Sequence, residues 1–354
     1  MMSLRGKVLQ HRYILGDPLG EGGSAMVYHA EDRHTHQHVA VKIIPLTDND
    51  RDAVQMKATI LRSLHHPTFP HFYQFYCFQH VAYVVMEYIE GNTLREYLDQ
   101  HGPLSVEKSI MIISDLLSGL IVLHNAGLIH GDIKPENIML TSQGMKLIDF
   151  GSACPISYSL EDKKQVSGTV DYSAPETLKY NIATPQTDLY STGILWFELL
   201  CGQSPFMMDS QIASLYKSAT ESIPSLTQID THFPTQASAL VSALTETDPH
   251  LRPPNVQTVV QLLSVMESSL SDEEKHFCYV PHPHAVESVS VTHQHISEMP
   301  HQETVGGFDD DLLTTSFLER QMKHLSRTQI IVITIILIVV LTLILVGVAE
   351  WLHF

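Results

Sequence analysis

The chain has 354 residues, 44% of them hydrophobic, enough for one large folded body and a separate apolar segment. Its 21 Lys and Arg against 39 Asp and Glu give a formal charge of -18, which repels a phosphate backbone and excludes nucleic acid as a general partner. Four cysteines, Cys77, Cys154, Cys201 and Cys278, are widely spaced with no C-x-x-C, the pattern of reduced thiols and not of a disulfide framework.

Residues 1–16 carry Arg5 and Lys7 but no apolar run of signal-peptide length, so the body is expected on the cytoplasmic side. Over residues 13–86, short β-branched runs broken by turn residues predict a strand-rich unit with one helix near residues 52–64. From Thr93 the period becomes helical: Leu94, Tyr97 and Leu98 share a face, and residues 110–124 form a longer apolar helix. The second unit, mostly helix, runs to about residue 268. The extended connection 86–91 joins the two and places a cleft between them, a common ligand position.

Residues 269–327 are polar, with no Lys or Arg between Lys275 and Arg320, and bury too little apolar surface to offset ordering entropy; a flexible tether is expected. Six of the seven histidines here (His276, His282, His284, His293, His295, His301) are candidate Zn²⁺ ligands or acid sensors. Their spacing is unlike a structural zinc site, and a chain with 22 histidines explains them by composition equally well. Asp309, Asp310 and Asp311 read as a solvated, membrane-repelled stretch. Residues 330–349, IIVITIILIVVLTLILVGVA, are uncharged and long enough to cross a bilayer, so 328–349 is predicted to be a transmembrane helix with 350–354 outside. Arg320, Lys323 and Arg327 precede the span and only Glu350 follows it, which keeps the N-terminal body cytoplasmic.

Three motifs carry chemistry. In Gly20-Glu21-Gly22-Gly23-Ser24-Ala25-Met26-Val27, small residues let backbone N–H groups approach phosphate oxygens, although a glycine-rich hairpin turn without a ligand explains the same letters. Val39-Ala40-Val41-Lys42 is an apolar strand ending in a lysine. His130-Gly131-Asp132-Ile133-Lys134-Pro135-Glu136-Asn137 is followed by Lys146-Leu147-Ile148-Asp149-Phe150-Gly151, bringing carboxylates and an amide into one neighbourhood.

Together these motifs resemble the protein kinase family, in a pattern spanning residues 11–268. The resemblance implies an α+β, two-lobed fold with a strand-rich N-lobe and a helical C-lobe, here joined to one C-terminal transmembrane helix. It implies ATP with Mg²⁺, or Mn²⁺ in its place, and protein substrates. Asp132 would lie beside the attacking hydroxyl, Lys134 at the transferring phosphate, and Asn137 with Asp149 on the metal. Nucleotide contacts would come from Leu19, Gly20, Gly22, Gly23, Val27, Ala40, Lys42, Met86, Glu87, Ile89 and Leu140. Gly168-Thr169 and Ala174-Pro175-Glu176 resemble the end of an activation segment, residues 188–193 the helix under the catalytic loop, and Arg252 the partner of Glu176. Lys134 with Thr169, and the lack of an A-A-R-N run, point to Ser/Thr acceptors. Membrane attachment is through the span, which also leaves self-association open.

Two positions depart from the pattern. Gly131 stands where an arginine would clamp a phosphorylated segment, so the chain is of the non-RD type, and loop phosphorylation is not expected to switch activity through this position. Lys57 stands where a helix glutamate would face Lys42, and a like charge there repels the lysine. Three explanations remain open for the second: a helix shift that presents Asp48, Asp50 or Asp52, a pseudokinase that acts as a membrane-held scaffold, or an intact enzyme that compensates. His-Gly-Asp also resembles aminoglycoside and choline kinase-like enzymes, a rival that needs a small-molecule substrate; Lys134, Gly168-Thr169, Ala174-Pro175-Glu176 and Arg252 favour the protein kinase.

Overall fold

The computed structural model describes residues 4–22, 25–47, 51–78, 80–156, 170–206, 217–218 and 220–281. The chain separates into unit 1–288 and unit 289–354, and all described residues belong to the first. The predicted span, the tether from residue 282 with five of the six candidate histidines, Asp48, Asp50, Gly23, Gly168 and Thr169 lie outside the described residues. Among the described residues, no helix is long and apolar enough to cross a membrane.

The N-terminal lobe is a six-stranded antiparallel sheet of β1 (Val8–Leu9), β2 (Tyr13–Gly22), β3 (Ala25–Asp32), β4 (His38–Pro45), β5 (Phe72–Phe78) and β6 (Val81–Glu87), in the order β1-β2-β3-β4-β6-β5. Gly22 pairs with Ala25, so β2 and β3 are joined by two residues, the shortest hairpin connection. Tyr13, Leu15, Tyr28, Ala30, Val39, Val41 and Val85 form this lobe's own core, fed by alternate positions of β2, β3 and β4 and by Val85 of β6. Helix α1 (Arg51–Ser63) packs beside β5.

In the C-terminal lobe, Thr93 starts α2 (Leu94–His101) with a capping box to Glu96, and Ser105 caps α3 (Val106–Asn125). Val106, Ile110, Ile113, Leu117 and Leu120 repeat at helical spacing on the buried face of α3. Helices α4 (Pro175–Tyr180) and α5 (Pro185–Cys201) follow. Nearly every residue of α5 is buried, which makes it the central post of the lobe; Trp196, fully buried on it, donates Nε1–H to Ser109 Oγ at 3.0 Å. Helices α6 (Leu226–Ile229), α7 (Thr235–Leu244), α8 (Val256–Ser269) and α9 (Asp272–His276) complete the lobe.

The observed elements differ from the sequence expectation in three places. The sheet begins at Val8, ahead of residue 13, because Val8 pairs with Ile14 across a tight turn. The helical lobe also holds short strands, β7 (Asn92–Thr93), β8 (Leu128–Ile129), β9 (Ile138–Thr141), β10 (Gly144–Leu147) and β11 (Cys154–Pro155), too brief to show alternation. Past Ser269 the chain stays in contact with the domain: Ser271 and Glu274 form a capping box, Cys278 bridges to Ser105, and Tyr279 is buried. Among the described residues, no disulfide bond joins any of the four cysteines.

Candidate active site

The cleft between the lobes is lined first by apolar groups. Ala40 on β4 pairs in register with Met86 on β6; both are buried, and Val27 and Leu140 pack against the same core. Ile89 is half-buried and Leu19 exposed at the cleft's lip. Glu87 ends β6 with its carboxylate committed, accepting from Lys146 Nζ and from the backbone N–H of His71, both at 2.9 Å. Gly20 lies on β2, where a Cβ would meet nothing within 4 Å, so packing inside the chain does not demand glycine there. That favours open space kept for a ligand over a purely structural glycine.

Lys42 on β4 points from the same wall. Its Nζ lies 2.5 Å from Asp149 Oδ1, which also accepts from the Gly151 N–H at 2.7 Å. Burial pushes the Asp149 carboxyl up, but the Lys42 ammonium and the Gly151 N–H outweigh it and hold the group below the usual carboxylate range. Phe150 fixes the orientation of the segment: its ring meets Phe69 at 5.3 Å, Phe72 at 5.6 Å and His130 at 5.2 Å, each edge to face. With Phe150 turned into the core, Asp149 is left facing Lys42.

The catalytic loop hangs from α5. Asp188, fully buried, accepts from the backbone N–H groups of His130 (2.9 Å) and Gly131 (2.8 Å) and from His124 Nε2 (2.8 Å). Burial alone would raise its carboxyl, yet His124 and the loop amides keep it below the usual range and ionised. Both amides can point at one carboxylate because Gly131 adopts φ +74, a conformation that an L side chain enters only with strain. Glycine at this position thus relieves the turn as well as removing a guanidinium.

Asp132 follows with its Oδ2 held from two sides, by Lys134 Nζ at 2.9 Å and Asn137 Nδ2 at 2.9 Å. Asn137 Nδ2 also donates to the Asp132 carbonyl at 2.7 Å, which fixes the amide and turns its Oδ1 away from Asp132. The Ile148 N–H donates to the Asn137 carbonyl at 2.8 Å, tying the loop to the strand that leads into Asp149. The structure thus places Asp132 with Lys134 and Asn137, and Lys42 with Asp149, and the bond from Ile148 to Asn137 joins the two segments. Asn137 Oδ1 and Asp149 Oδ2 remain as hard oxygen donors, a set that suits Mg²⁺ or Mn²⁺. Among the described residues, no three His, Cys, Asp or Glu side chains converge on one point. A cation on these two would complete its shell with phosphate oxygens and water, the habit of Mg²⁺.

Lys57 resolves differently from the repulsion expected. Helix α1 carries no glutamate, and its one acid is Asp52. The Lys57 ammonium donates to the Gly151 carbonyl at 2.6 Å, while Lys42 takes Asp149. The Lys57 ammonium therefore binds a backbone carbonyl of the Asp-Phe-Gly segment, a partner that the sequence register did not indicate. Replacing Lys57 with Met is expected to lower activity by less than about tenfold and the melting temperature by a few degrees. One charge-assisted hydrogen bond contributes about 1.5–3 kcal/mol before solvent screening of a half-buried group, and differential scanning fluorimetry reads the loss.

Below the site, Arg252 and Glu176 form the expected pair. Both are buried, with Nη1 to Oε1 at 2.6 Å and Nη2 to Oε2 at 2.8 Å, and the guanidinium stacks 4.8 Å from the Tyr190 ring. Sequence reasoning missed a second arginine cluster, Arg95 with Glu136, Glu198 and Tyr172, whose members are scattered along the chain and carry no shared local signal.

Comparison with known proteins agrees with this geometry. The family model described as "Protein kinase domain" matches residues 13–263. The chain is 36% identical over 250 residues to the probable serine/threonine-protein kinase PknB of Lactococcus lactis, covering 69% of this chain and 40% of that one. It is 33% identical over 255 residues to the serine/threonine-protein kinase PrkC of Bacillus subtilis, covering 70% and 39% respectively. With the serine/threonine-protein kinase PknL of Mycobacterium tuberculosis the identity is 31% over 252 residues, covering 70% and 63%. The match spans about two fifths of the length of the first two relatives.

Proposed function

Because this chain belongs to the protein kinase family, we propose that it is a membrane-anchored serine/threonine kinase that transfers the γ-phosphoryl group of Mg·ATP to protein hydroxyls. The observation that supports this reading is that Lys134 and Asn137 hold Asp132 while Lys42 holds Asp149, with the Ile148 N–H on the Asn137 carbonyl tying the two segments. Phosphoryl transfer asks the protein for position and charge more than for covalent chemistry. Asp132 Oδ1 is left to accept the hydroxyl proton. Lys134, one bond from Asp132, carries positive charge to the acceptor side, and Lys42 carries it to the nucleotide side. Asn137 and Asp149 would hold the metal, which supplies charge neutralisation across the phosphates.

The finer parts of the reading rest on sequence. Ser/Thr acceptors follow from Lys134 and from the names of the relatives, and the anchor from the uncharged run 330–349 behind Arg320, Lys323 and Arg327. Protein substrates and, through the span, self-association complete it. The second reading, a membrane-held pseudokinase scaffold, is favoured by one observation: Lys57 leaves Lys42 without a helix carboxylate among the described residues. Incubating the full chain with γ-labelled ATP and a basic acceptor protein tests the choice. Label recovered as phosphoserine or phosphothreonine supports the kinase, label on tyrosine removes the Ser/Thr assignment, and no label supports the scaffold. Alkaline extraction of membranes tests the anchor, which predicts that the protein stays in the pellet.

A further inference from the structure

Arg95, on α2, sits in a site made of acidic and phenolic oxygens from three other elements. Its Nε donates to Glu136 Oε1 at 2.9 Å, its Nη2 to the Tyr172 hydroxyl at 2.7 Å, and its Nη1 lies 2.8 Å from Glu198 Oε1 and 3.7 Å from Asp99 Oδ1. Tyr172 in turn donates to Glu198 Oε2. Glu198, on the central post α5, is 2% exposed, and burial pushes its carboxyl up despite the arginine. The site is over-supplied with acceptors: Glu136 Oε2 is buried with no hydrogen-bond partner, and three carboxylates surround one guanidinium.

Its position matters more than its strength. Glu136 lies between Lys134 and Asn137 in the turn Pro135–Asn137, on the loop that carries Asp132. Tyr172 closes the turn Val170–Tyr172, and its carbonyl is fastened to α5 by Ser191 Oγ at 2.7 Å. The guanidinium therefore bridges the catalytic loop and the segment leading into Ala174-Pro175-Glu176. Glu136 is four residues from Asp132 on the same loop, a separation of at most about 14 Å, and an extended acceptor chain advancing about 3.3–3.6 Å per residue covers that ground within a few positions of its hydroxyl.

We propose that Arg95 is a specificity-determining residue: it fills, from within the chain, a guanidinium site beside the catalytic loop and so withholds that site from an arginine flanking the acceptor hydroxyl. The proposal rests on the kinase reading and deepens it. In this account the protein does not select substrates by a neighbouring arginine, and loss of Arg95 exposes Glu136 and Glu198 to one supplied by the substrate. A fork of charge-assisted bonds discriminates strongly, so the change is expected to be large.

The test uses the full chain and serine peptides in which a single arginine is moved through the three positions on either side of the serine. Wild type is expected to give kcat/KM values that vary by less than about threefold with arginine position. Arg95→Ala is expected to show at least one position where arginine raises kcat/KM by about tenfold or more, mainly through KM. Millimolar guanidinium should erase that preference in Arg95→Ala and leave wild type unchanged, an effect that a purely structural arginine would not produce. If Arg95→Ala does not fold, Arg95→Met keeps the aliphatic volume and carries the same expectation. A flat profile in a folded, active variant overturns the proposal alone, as does a strong arginine preference already present in wild type. Absence of phosphoryl transfer from wild type to any peptide or to itself overturns the kinase reading and this inference with it.

Discussion

Asp149→Asn is expected to reduce phosphoryl transfer by about 10³-fold, the loss that follows when several kcal/mol of transition-state charge stabilisation are removed. The amide keeps the shape of the side chain and an acceptor for the Gly151 N–H, which now sits 2.7 Å away. What it loses is charge, on two sides at once. Lys42, 2.5 Å away and mostly buried, is left without its carboxylate, and the metal position proposed above would keep only the neutral Asn137 of its two proposed ligands. Binding should fail together with turnover. Mg·ADP at a hundred times its Kd would stabilise wild type by about 2.7 kcal/mol in a melting experiment, and most of that shift should vanish in the variant. A variant that keeps activity within tenfold of wild type would show that Asp149 is not a metal ligand.

Arg252→Ala is expected to be the most damaging single change to the fold. Breaking a buried pair by removing one partner costs about 3–5 kcal/mol because the other charge stays behind. The residual charge is Glu176, which loses both of its donors and keeps its burial. Arg252 also donates to the carbonyls of Gln186 and Glu246, each at 2.8 Å, and of Thr247 at 3.4 Å, so three backbone acceptors are stranded with it. For a domain of this size the melting temperature should fall by roughly 6–20 °C. Glu176→Gln retains an acceptor and should fall less. A shift of under about one degree in Arg252→Ala would contradict the packing described.

The catalytic half of the site was legible in the sequence because its chemistry is local. Asp132, Lys134 and Asn137 lie within one short loop, and the bonds that align them run between residues five or fewer apart. The pairing of β2 with β3 and the strand that carries Lys42 were legible for a related reason, since turn residues and β-branched runs write their geometry directly into the chain, although that strand does not end at Lys42 but runs on to Pro45. Arg252 and Glu176, 76 residues apart, were found only through the family pattern.

What stayed hidden depends on contacts that carry no local mark. The partner of Lys57 is a backbone carbonyl, which every residue possesses, so the sequence showed a misplaced charge and not its solution. Arg95 draws on residues 41 and 77 positions away, and none of them sits in a motif with it. The positive φ at Gly131 is equally invisible as a letter: glycine read as a missing arginine, while the fold uses it as a turn that lets two amides reach Asp188. The stretch after Ser269 looked wholly solvated because its few apolar residues, Phe277 and Tyr279 among them, are diluted by charge, yet they pack against Phe233.

The central claim is that the residues gathered around Asp132 and Asp149 transfer phosphate although Lys57 replaces a helix carboxylate. Label transfer from γ-labelled ATP by the full-length chain, compared between wild type and Asp132→Ala at equal folded concentration, tests it most directly. The account predicts Mg²⁺-dependent incorporation by wild type and a loss of about 10²–10⁴-fold in the variant, the range expected when a positioned proton acceptor is removed. Equal label from the two proteins, or none from either, would contradict it.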